Sequence, residues 1–462
     1  MKKSKVFLLA TVGLLSVGVL TACSSSSKTS GKTYNYVYGG DPATLDYVST
    51  NKKNMTTAVS NGVDGLFEND QYGNLKPSVA ENWSVSQDGL TYTYKIRKGV
   101  KWYTSDGEEY ANVTAKDFVT GLKHAADTNS EAIYLLQNSV KGLNDYLSGA
   151  NKDFSNVGIK AVDDYTLQYT LSQPEPYWNS KLTYSVTWPV NEDFLKSKGK
   201  DFGKSTDPTS ILYNGPYLLK SLTTKSSIEF TKNENYWDKD NVYFDTVKLT
   251  YDDGTDQESL ERNFTDGVYN LARLYPTSSN YSKVKKQYKD NIFYTQPGAA
   301  VEGVGVNIDR QTYDHTSKEN DQQKTSTKTA LLNKDFRQAL GFAIDRTNYA
   351  AQLNGKEGGS TAVRNIFVKP DFVQADGKDF GTMVMDQLPA YGDEWSGVNL
   401  ADSQDGLYNP EKAKAEFAKA KEALQAEGVQ FPIHLDVPVN QSNKIFVNQV
   451  QSLKQSDRKS VV

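Results

Sequence analysis

Residues 89–102 read Gly89-Leu-Thr-Tyr-Thr-Tyr-Lys-Ile-Arg-Lys-Gly-Val-Lys-Trp102, and from Leu90 to Arg97 apolar and polar side chains alternate. A period of two is typical of a β-strand with one buried face. Trp83 and Val85 lead into this segment through the turn Gln87-Asp-Gly89. A turn of this composition between two alternating segments predicts a half-buried β-hairpin.

Helix and strand signals continue after the hairpin. Thr114 and Asp117 have the spacing of a capping box, so a helix is predicted to begin there. The alternating segment 167–171 is predicted to be a strand that ends before Pro174, because proline cannot donate to a sheet. Further strand-like segments lie at 217–219, 228–230 and 247–251.

The second half of the chain carries mixed signals. Val304 and Val306 alternate with polar or small residues and predict a strand, whereas the polar run 311–329 predicts a solvated loop. Apolar residues at Phe336, Leu340, Ala343 and Ile344 predict an amphipathic helix.

The region after residue 400 gives the clearest helix signal. Asn409 and Pro410 are typical of an N-cap and a first helical position, and Gly428 marks the end of that helix. The alternating residues 433–437 predict a strand, and a helix-like stretch starts at Asn443.

The N-terminus has the pattern of an export signal. Three lysines precede an apolar run of 15 residues, Val6 to Leu20, and the only cysteine of the chain, Cys23, follows small residues. An apolar helix of that length reaches only about 22 Å, whereas a bilayer core is about 30 Å thick. Residues 1–22 are therefore predicted to be a lipoprotein signal peptide, with Cys23 as the lipidation site. The alternative is an ordinary leader whose cysteine is incidental.

Composition limits the function classes. The segment 23–32 is polar and small and predicts a flexible tether. A net charge of −4 argues against nucleic acid as a partner. With one cysteine, disulfides and thiol chemistry elsewhere in the chain are excluded. The length indicates two or three domains.

No catalytic, metal or cofactor motif is found. The histidines His124, His315 and His434 have no zinc or triad spacing, so each is interpreted as a surface or packing residue. The stretch 199–205 lacks the spacing of a phosphate loop, and the acidic residues 252–256 lack that of a calcium loop. We expect no enzyme, metal or cofactor.

Three blocks carry a family resemblance. They are 80–118 with the hairpin, 214–237 from Asn214-Gly-Pro-Tyr217 to Asn235-Tyr-Trp237, and 335–346 from Asp335-Phe-Arg-Gln-Ala-Leu340 to Ala343-Ile-Asp-Arg346. In this order they resemble the family 5 solute-binding proteins, the binding subunits of ATP-driven importers. The lipoprotein form looks most like the oligopeptide-binding lipoproteins of streptococci. One departure from the family pattern Gly-Glu-Ile-Asp is Gly267-Val-Tyr-Asn270.

The resemblance implies an α/β fold with two lobes, a hinge and an inserted subdomain, similar to periplasmic binding proteins. Lobe I would comprise 31–62 and 187–298, the inserted subdomain 63–186, and lobe II 299–456. Lobe II is expected to be incomplete, because the C-terminal part of the family fold would be missing. Residues 457–462 match what a sequencing-adapter string encodes and are predicted to be a non-native tail; the alternative is a genuine divergent terminus.

The resemblance also implies a function. The chain would be a monomer on the extracellular face of the cell membrane, held by a lipid anchor. It would capture oligopeptides by hinge closure and deliver them to the permease and ATPase subunits of the importer. A surface protein for peptide sensing or adhesion with the same fold is the alternative, and a hydrolase is a third and weaker one.

Candidate ligand contacts come from two sources. Aromatic residues near predicted loop ends are candidates for the walls of a binding site, with core packing as the alternative for each. The family places contacts near two further segments. The candidates are Trp102, Tyr103, Trp178, Trp188 and Trp395, and then Asn61, Asp64 and Asn307.

Overall fold

The computed structural model describes residues 32–293, 301–370, 372–441 and 443–460. The chain divides into two compact units, 1–252 and 253–462. This division lies closer to the N-terminus than the boundary expected between the lobes, and the lobe boundaries stay a prediction. The predicted leader and Cys23 lie outside the described residues, as do Val461 and Val462 of the predicted tail. Of the helices that are described, none has the length and apolar character needed to cross a bilayer.

In the described ranges, short strands form five sheets. The strands are β1 Thr33–Tyr38, β2 Phe67–Asn69, β3 Leu75–Pro77, β4 Ala80–Val85, β5 Thr91–Ile96, β6 Lys101–Tyr103, β7 Glu109–Asn112, β8 Ile159–Asp163, β9 Thr166–Thr170, β10 Tyr217–Thr223, β11 Ser227–Lys232, β12 Thr246–Tyr251, β13 Gln374–Ala375 and β14 Lys378–Asp379. Two sheets have four strands, in the orders β1-β12-β11-β10 and β4-β5-β9-β8. The other three are two-stranded.

Helices lie in both units. They are α1 Lys53–Val59, α2 Ala115–Asp127, α3 Leu143–Leu147, α4 Trp178–Lys181, α5 Glu192–Lys198, α6 Ser259–Thr265, α7 Tyr281–Gln287, α8 Asp321–Leu332, α9 Lys334–Ala343, α10 Arg346–Gly358, α11 Phe380–Gln387, α12 Pro410–Ala426 and α13 Lys444–Ser460. With the sheets they give the mixed α/β composition that the sequence analysis expected.

The predicted hairpin forms in the first unit. β4 and β5 pair antiparallel, and Tyr92, Tyr94 and Ile96 are buried on one face while Lys95 is exposed. The sheet of this hairpin lies wholly within 63–186, whereas the other four-stranded sheet combines β1 with strands after residue 216. In that sheet β1 runs parallel to β12, and the remaining pairs are antiparallel.

Helix α2 begins where the capping box predicts. Asp117 Oδ2 accepts hydrogen bonds from the backbone N–H of Thr114 at 2.8 Å and from Nε1 of Trp102 at 3.1 Å. Burial raises the pKa of Asp117 to about 6, against the opposing effect of these hydrogen bonds. The helix packs on β8 and β9, so its apolar face closes the core of the first unit.

The second unit is mainly helical. α9 and α12 pack together, with the rings of Phe336 and Phe417 6.3 Å apart. Asn409 caps α12, as predicted, because its side chain accepts from the N–H of Lys412 at 3.0 Å. The helix predicted around Phe336 is α9, and the helix predicted from Asn443 is α13.

The predicted solvated loop at 311–329 is wrong over its second part. Residues from Asp321 onward form α8, whose N-cap Asn320 accepts from the N–H of Gln323 at 2.9 Å. The helix is polar yet partly buried, because its hydroxyls find backbone acceptors. The hydroxyl of Thr327 donates to the carbonyl oxygens of Gln323 at 2.9 Å and of His434 at 3.1 Å.

Two predicted strands in the second unit are also wrong. The segments around Val304 and Val306 and around Leu435 and Val437 have no regular secondary structure, and these side chains are exposed. A strand requires a partner, and within the described ranges no strand pairs with either segment. Alternation alone was therefore an insufficient signal.

Candidate functional site

A surface cavity of about 300 Å³ lies in the first unit. One wall is the loop before α1 with the first turn of that helix, and the other is the chain that leaves the C-terminus of α2. The lining combines the apolar Ala43 and Met55 with polar and charged side chains: Thr44, Ser49, Thr50, Lys52, Thr128, Asn129 and Glu131. An apolar surface with a few convergent polar groups is the usual form of a small-ligand site.

Glu131 and Lys52 are the two charged residues of the lining. Glu131 Oε2 accepts a hydrogen bond from Oγ1 of Thr50 at 2.5 Å, and Oε1 lies 3.2 Å from Nζ of Lys52. The hydrogen bond from Thr50, together with Lys52, lowers the pKa of Glu131. The backbone N–H of Glu131 donates to the carbonyl oxygen of Ser49 at 3.0 Å. The two walls are thus joined by side-chain and backbone contacts.

Contacts with α2, with Gly203 and with Ser130 hold the loop of the first wall in place. Asp46 Oδ2 lies 2.8 Å from Nε2 of His124 on α2, and both side chains are largely buried. The N–H of Leu45 donates to the carbonyl oxygen of Gly203 at 2.6 Å. The hydroxyl of Ser130 donates to the carbonyl oxygen of Val48 at 2.6 Å. His124 is a packing residue, as the sequence analysis interpreted it.

The four predicted wall aromatics of the first unit lie in its core. Trp102 and Trp178 have no exposed surface, and Tyr103 and Trp188 are also buried. The hydroxyl of Tyr103 donates to the carbonyl oxygen of Asn235 at 3.1 Å. A side chain without exposed surface cannot touch a solute unless the core rearranges. This placement corresponds to core packing, the alternative weighed for each of them.

Asn61 and Asp64 lie in the segment that follows the end of α1. Asn61 is exposed, and its carbonyl oxygen accepts from the N–H of Tyr217 at 2.9 Å. Asp64 is partly buried, and its Oδ2 accepts from the hydroxyl of Tyr236 at 2.7 Å. Burial raises the pKa of Asp64 to about 7, although the hydrogen bond from Tyr236 opposes the shift.

The two candidates of the second unit, Asn307 and Trp395, have different contacts. Asn307 is exposed, and its Oδ1 accepts from the N–H of Asp309 at 3.0 Å. Trp395 is partly buried against Phe342, with ring centroids 5.4 Å apart. Neither residue lines the cavity that contains Glu131.

The residues that line the cavity were not predicted from the sequence. Thr50 and Glu131 are 81 positions apart, so no motif joins them. Two local signals were present in the sequence: the polar stretch from Ser49 to Asn54 after Leu45-Asp-Tyr-Val48, and an asparagine, Asn129, just after α2, where asparagine is common because it tolerates a positive φ such as the 52° found here. In the part of the chain that the structure describes, no group of three or more His, Cys, Asp or Glu side chains is arranged to hold a metal ion.

Comparison with known proteins identifies the family. Residues 74–457 match the bacterial extracellular solute-binding proteins, family 5 (middle region). The chain is 69% identical over 459 residues to the oligopeptide-binding protein AmiA of Streptococcus pneumoniae, covering 99% of this chain and 70% of that protein. It is 60% identical over 469 residues to the oligopeptide-binding protein SarA of Streptococcus gordonii, covering 100% of this chain and 71% of that protein.

Solved structures show the same fold. Listeria monocytogenes OppA bound to peptide superposes with a TM-score of 0.65 at 24% identity, covering 93% of this chain and 75% of that one. The predicted family and fold class are confirmed by these matches. The chain belongs to the family 5 bacterial extracellular solute-binding proteins.

Proposed function

We propose that this protein captures oligopeptides outside the cell and delivers them to the membrane subunits of an ATP-driven importer. The proposal rests on the 69% identity to an oligopeptide-binding protein along 99% of the chain. At that similarity the relative's ligand class is the best expectation for this chain. The alternative roles in sensing or adhesion have no separate observation in their favour.

The proposed mode of recognition follows from peptide chemistry. Each peptide residue other than proline offers one backbone donor and one acceptor regardless of its side chain. Pairing those groups supplies affinity for many sequences, while wet side-chain pockets tolerate different residues. Hinge closure is the proposed capture step, since a closed state is what a transporter can recognise.

The residue roles remain part of the proposal. Asn61, Asp64, Asn307 and Trp395 retain accessible surface, so we assign direct ligand contacts to them and to the cavity. The buried aromatics Trp102, Tyr103, Trp178 and Trp188 would support the walls without touching the peptide. We further propose that Cys23 carries the lipid and that the protein acts as a monomer at the extracellular face of the membrane.

The ligand class is tested by purification from the native host followed by mass spectrometry of released small molecules. We expect a mixture of peptides. Their affinities are then measured by calorimetry after the protein has been unfolded, dialysed and refolded. Recovery of sugars, metal chelates or no ligand at all, together with no heat from a peptide library, would contradict the proposal. Intact peptides after prolonged incubation would argue against a hydrolase.

The anchor is tested separately with labelled palmitate. Cells that express the wild-type chain are expected to yield a labelled protein in the membrane fraction, and Cys23→Ser is expected to abolish the label. Label that persists in the Cys23→Ser variant would refute lipidation at this residue. Peptide binding by the same variant should be unaffected, because the anchor is not part of the binding site.

A further inference from the structure

Glu131 is a carboxylate held in place before any ligand arrives. Its Oε2 is fixed by Thr50, and its own backbone N–H is bonded to Ser49, so both the side chain and the backbone are positioned by the opposite wall. A preorganised acceptor loses little conformational freedom on binding a cation. The carboxylate is 45% exposed and therefore accessible from the cavity.

Lys52 is a replaceable partner of that carboxylate. Its side chain is 62% exposed, and among the described residues Glu131 is the only group that pairs with its Nζ. An exposed ion pair of this kind contributes little to stability. Solvent screens the attraction, and holding the long lysine side chain in one conformation costs entropy. A ligand cation could displace Lys52 at small cost, and the released ammonium would be hydrated.

The lining of the cavity is chemically complementary to a long cationic side chain. Ala43 is exposed and offers apolar surface to an aliphatic stem, whereas Met55 is only 1% exposed, and the carboxylate of Glu131 shares the lining with Ser49, Thr50 and Asn129. Lysine and arginine combine these two properties, an apolar stem and a charged end. Among the described residues that line the cavity, Lys52 is the only cation that could oppose such a group.

We propose that Glu131 is a specificity-determining residue, which accepts the ammonium or guanidinium group of a lysine or arginine side chain of a bound peptide in place of Lys52. The inference rests on the proposed peptide-binding function. It adds the substrate class that this cavity prefers. Peptides with a basic side chain at one position are expected to bind better than peptides with a neutral isostere there.

The test compares two peptide series in the full-length protein. In the first series a lysine is moved along a peptide of otherwise constant sequence, and in the second series norleucine replaces that lysine at each position. For the wild type we expect one position at which lysine improves affinity by about fivefold, the factor for one accessible ion pair. Glu131→Gln is expected to bring that ratio towards one, and Lys52→Met to raise it because the competing ammonium is gone.

Glu109→Gln is the matched control. Glu109 is an exposed acid of the same unit whose Oε2 lies 2.6 Å from Nζ of Lys101, and it does not line the cavity. This variant should leave both affinities unchanged. A lysine preference that survives in Glu131→Gln, or a wild type that shows none at any position, overturns the proposal. If both series fail to bind, the proposed peptide-binding function falls, whereas equal binding of both series refutes only the role of Glu131.

Unfolding controls make the result interpretable. Glu131→Gln keeps an oxygen that can accept from Thr50, and its thermal midpoint should stay close to that of the wild type. If Glu131→Gln proves unstable, Lys52→Met still decides the question. A lysine preference that does not increase in that variant counts against displacement.

Discussion

The hydroxyl of Tyr236 donates a hydrogen bond to Oδ2 of Asp64 at 2.7 Å and joins two residues that are 172 positions apart. The backbone of Asp64 is held by Asn214, whose side chain both accepts from its N–H and donates to its carbonyl oxygen. Asp64 therefore lies at a junction between the end of α1 and the chain that follows β11. Its carboxyl group is short of solvent, which is why its pKa is raised.

The raised pKa predicts that Asp64 makes stability depend on pH. With a pKa of about 7 in the folded protein and 3.8 as its ordinary value, the folded state binds more protons between those pH values. The free energy of unfolding should therefore fall as pH rises from about 4 to 7. The shift corresponds to at most about 4 kcal/mol, and partial exposure reduces it.

Asp64→Asn should remove this component. We expect the variant to lose the fall in stability between pH 5 and 7.5, measured by urea unfolding at each pH against the wild type. Asp106→Asn is the control, because Asp106 is exposed and its ion pair with Lys220 lies at the surface. If wild type and Asp64→Asn have parallel pH profiles, the carboxyl group is not the origin of the effect.

A second prediction concerns Asp436 in the second unit. Its carboxylate accepts from Arg310 at 2.6 Å and from the nearly buried Lys318 at 2.7 Å, and also from Thr316 and Ser317. Burial would raise the pKa of Asp436, but hydrogen bonds from Lys318, Ser317 and Thr316 hold it well below its ordinary value. The stabilisation is present at neutral pH and is lost as pH falls below the ordinary pKa of an aspartate.

Asp436→Ala should destabilise the second unit by about 3–5 kcal/mol, because it leaves the charge of Lys318 buried without a partner. Asp309→Ala is the matched control, since the exposed pair of Asp309 with Lys328 should contribute less than about 1 kcal/mol. The effects of both substitutions would be measured by chemical denaturation and, separately, by hydrogen exchange of the amides of α8. Equal effects of the two substitutions would show that the Asp436 network is not a stabilising element.

The sequence predicted an element correctly where neighbouring residues alone determine that element. The capping box of Thr114 and Asp117 and the N-cap Asn409 satisfy backbone groups within one turn, so both helix starts were predictable. The hairpin at 80–96 was predictable because its turn and its alternation agree.

The failures have a common physical origin in contacts distant along the chain. Alternating apolar residues around Val304 or Leu435 indicate only which side chains a strand would bury. Whether the strand forms depends on a second strand that pairs with it. In α8 the buried Thr327 is stabilised by a carbonyl oxygen 107 positions away. For Trp102 and Trp178, residue type cannot distinguish a core position from a binding wall, and the Glu131 site depends on a tertiary contact.

A third prediction concerns Gly203, which supports the cavity loop. It has a positive φ of 71°, and a Cβ atom there would lie 2.3 Å from the backbone nitrogen of Asp46. Gly203→Ala should therefore be destabilising through both strain and collision. Gly73 separates the two causes, because its φ is 82° but no atom lies within 4 Å of the corresponding Cβ position.

We expect Gly73→Ala to lower the free energy of unfolding by about 1–2 kcal/mol, the usual cost of a left-handed conformation. Gly203→Ala should cost at least about 2 kcal/mol more, because the backbone of Asp46 must shift. Because that shift displaces Thr44 and Ser49, peptide affinity should fall in Gly203→Ala and stay constant in Gly73→Ala. Equal free energies of unfolding for the two variants would mean that the backbone at Asp46 shifts without loss of stability.

The last prediction isolates the cap of α12. Asn409 Oδ1 accepts from the N–H of Lys412 at 3.0 Å, and its own N–H donates to the carbonyl oxygen of Phe342 at 2.8 Å. Asn409→Ala removes only the first bond and should cost about 1 kcal/mol, whereas Asn409→Asp restores an acceptor and adds a charge favourable to the helix N-terminus. Thermal unfolding should therefore rank wild type and Asn409→Asp above Asn409→Ala. If Asn409→Asp is as unstable as Asn409→Ala, the side-chain cap does not stabilise α12, and the backbone bond to Phe342 is what positions the start of the helix.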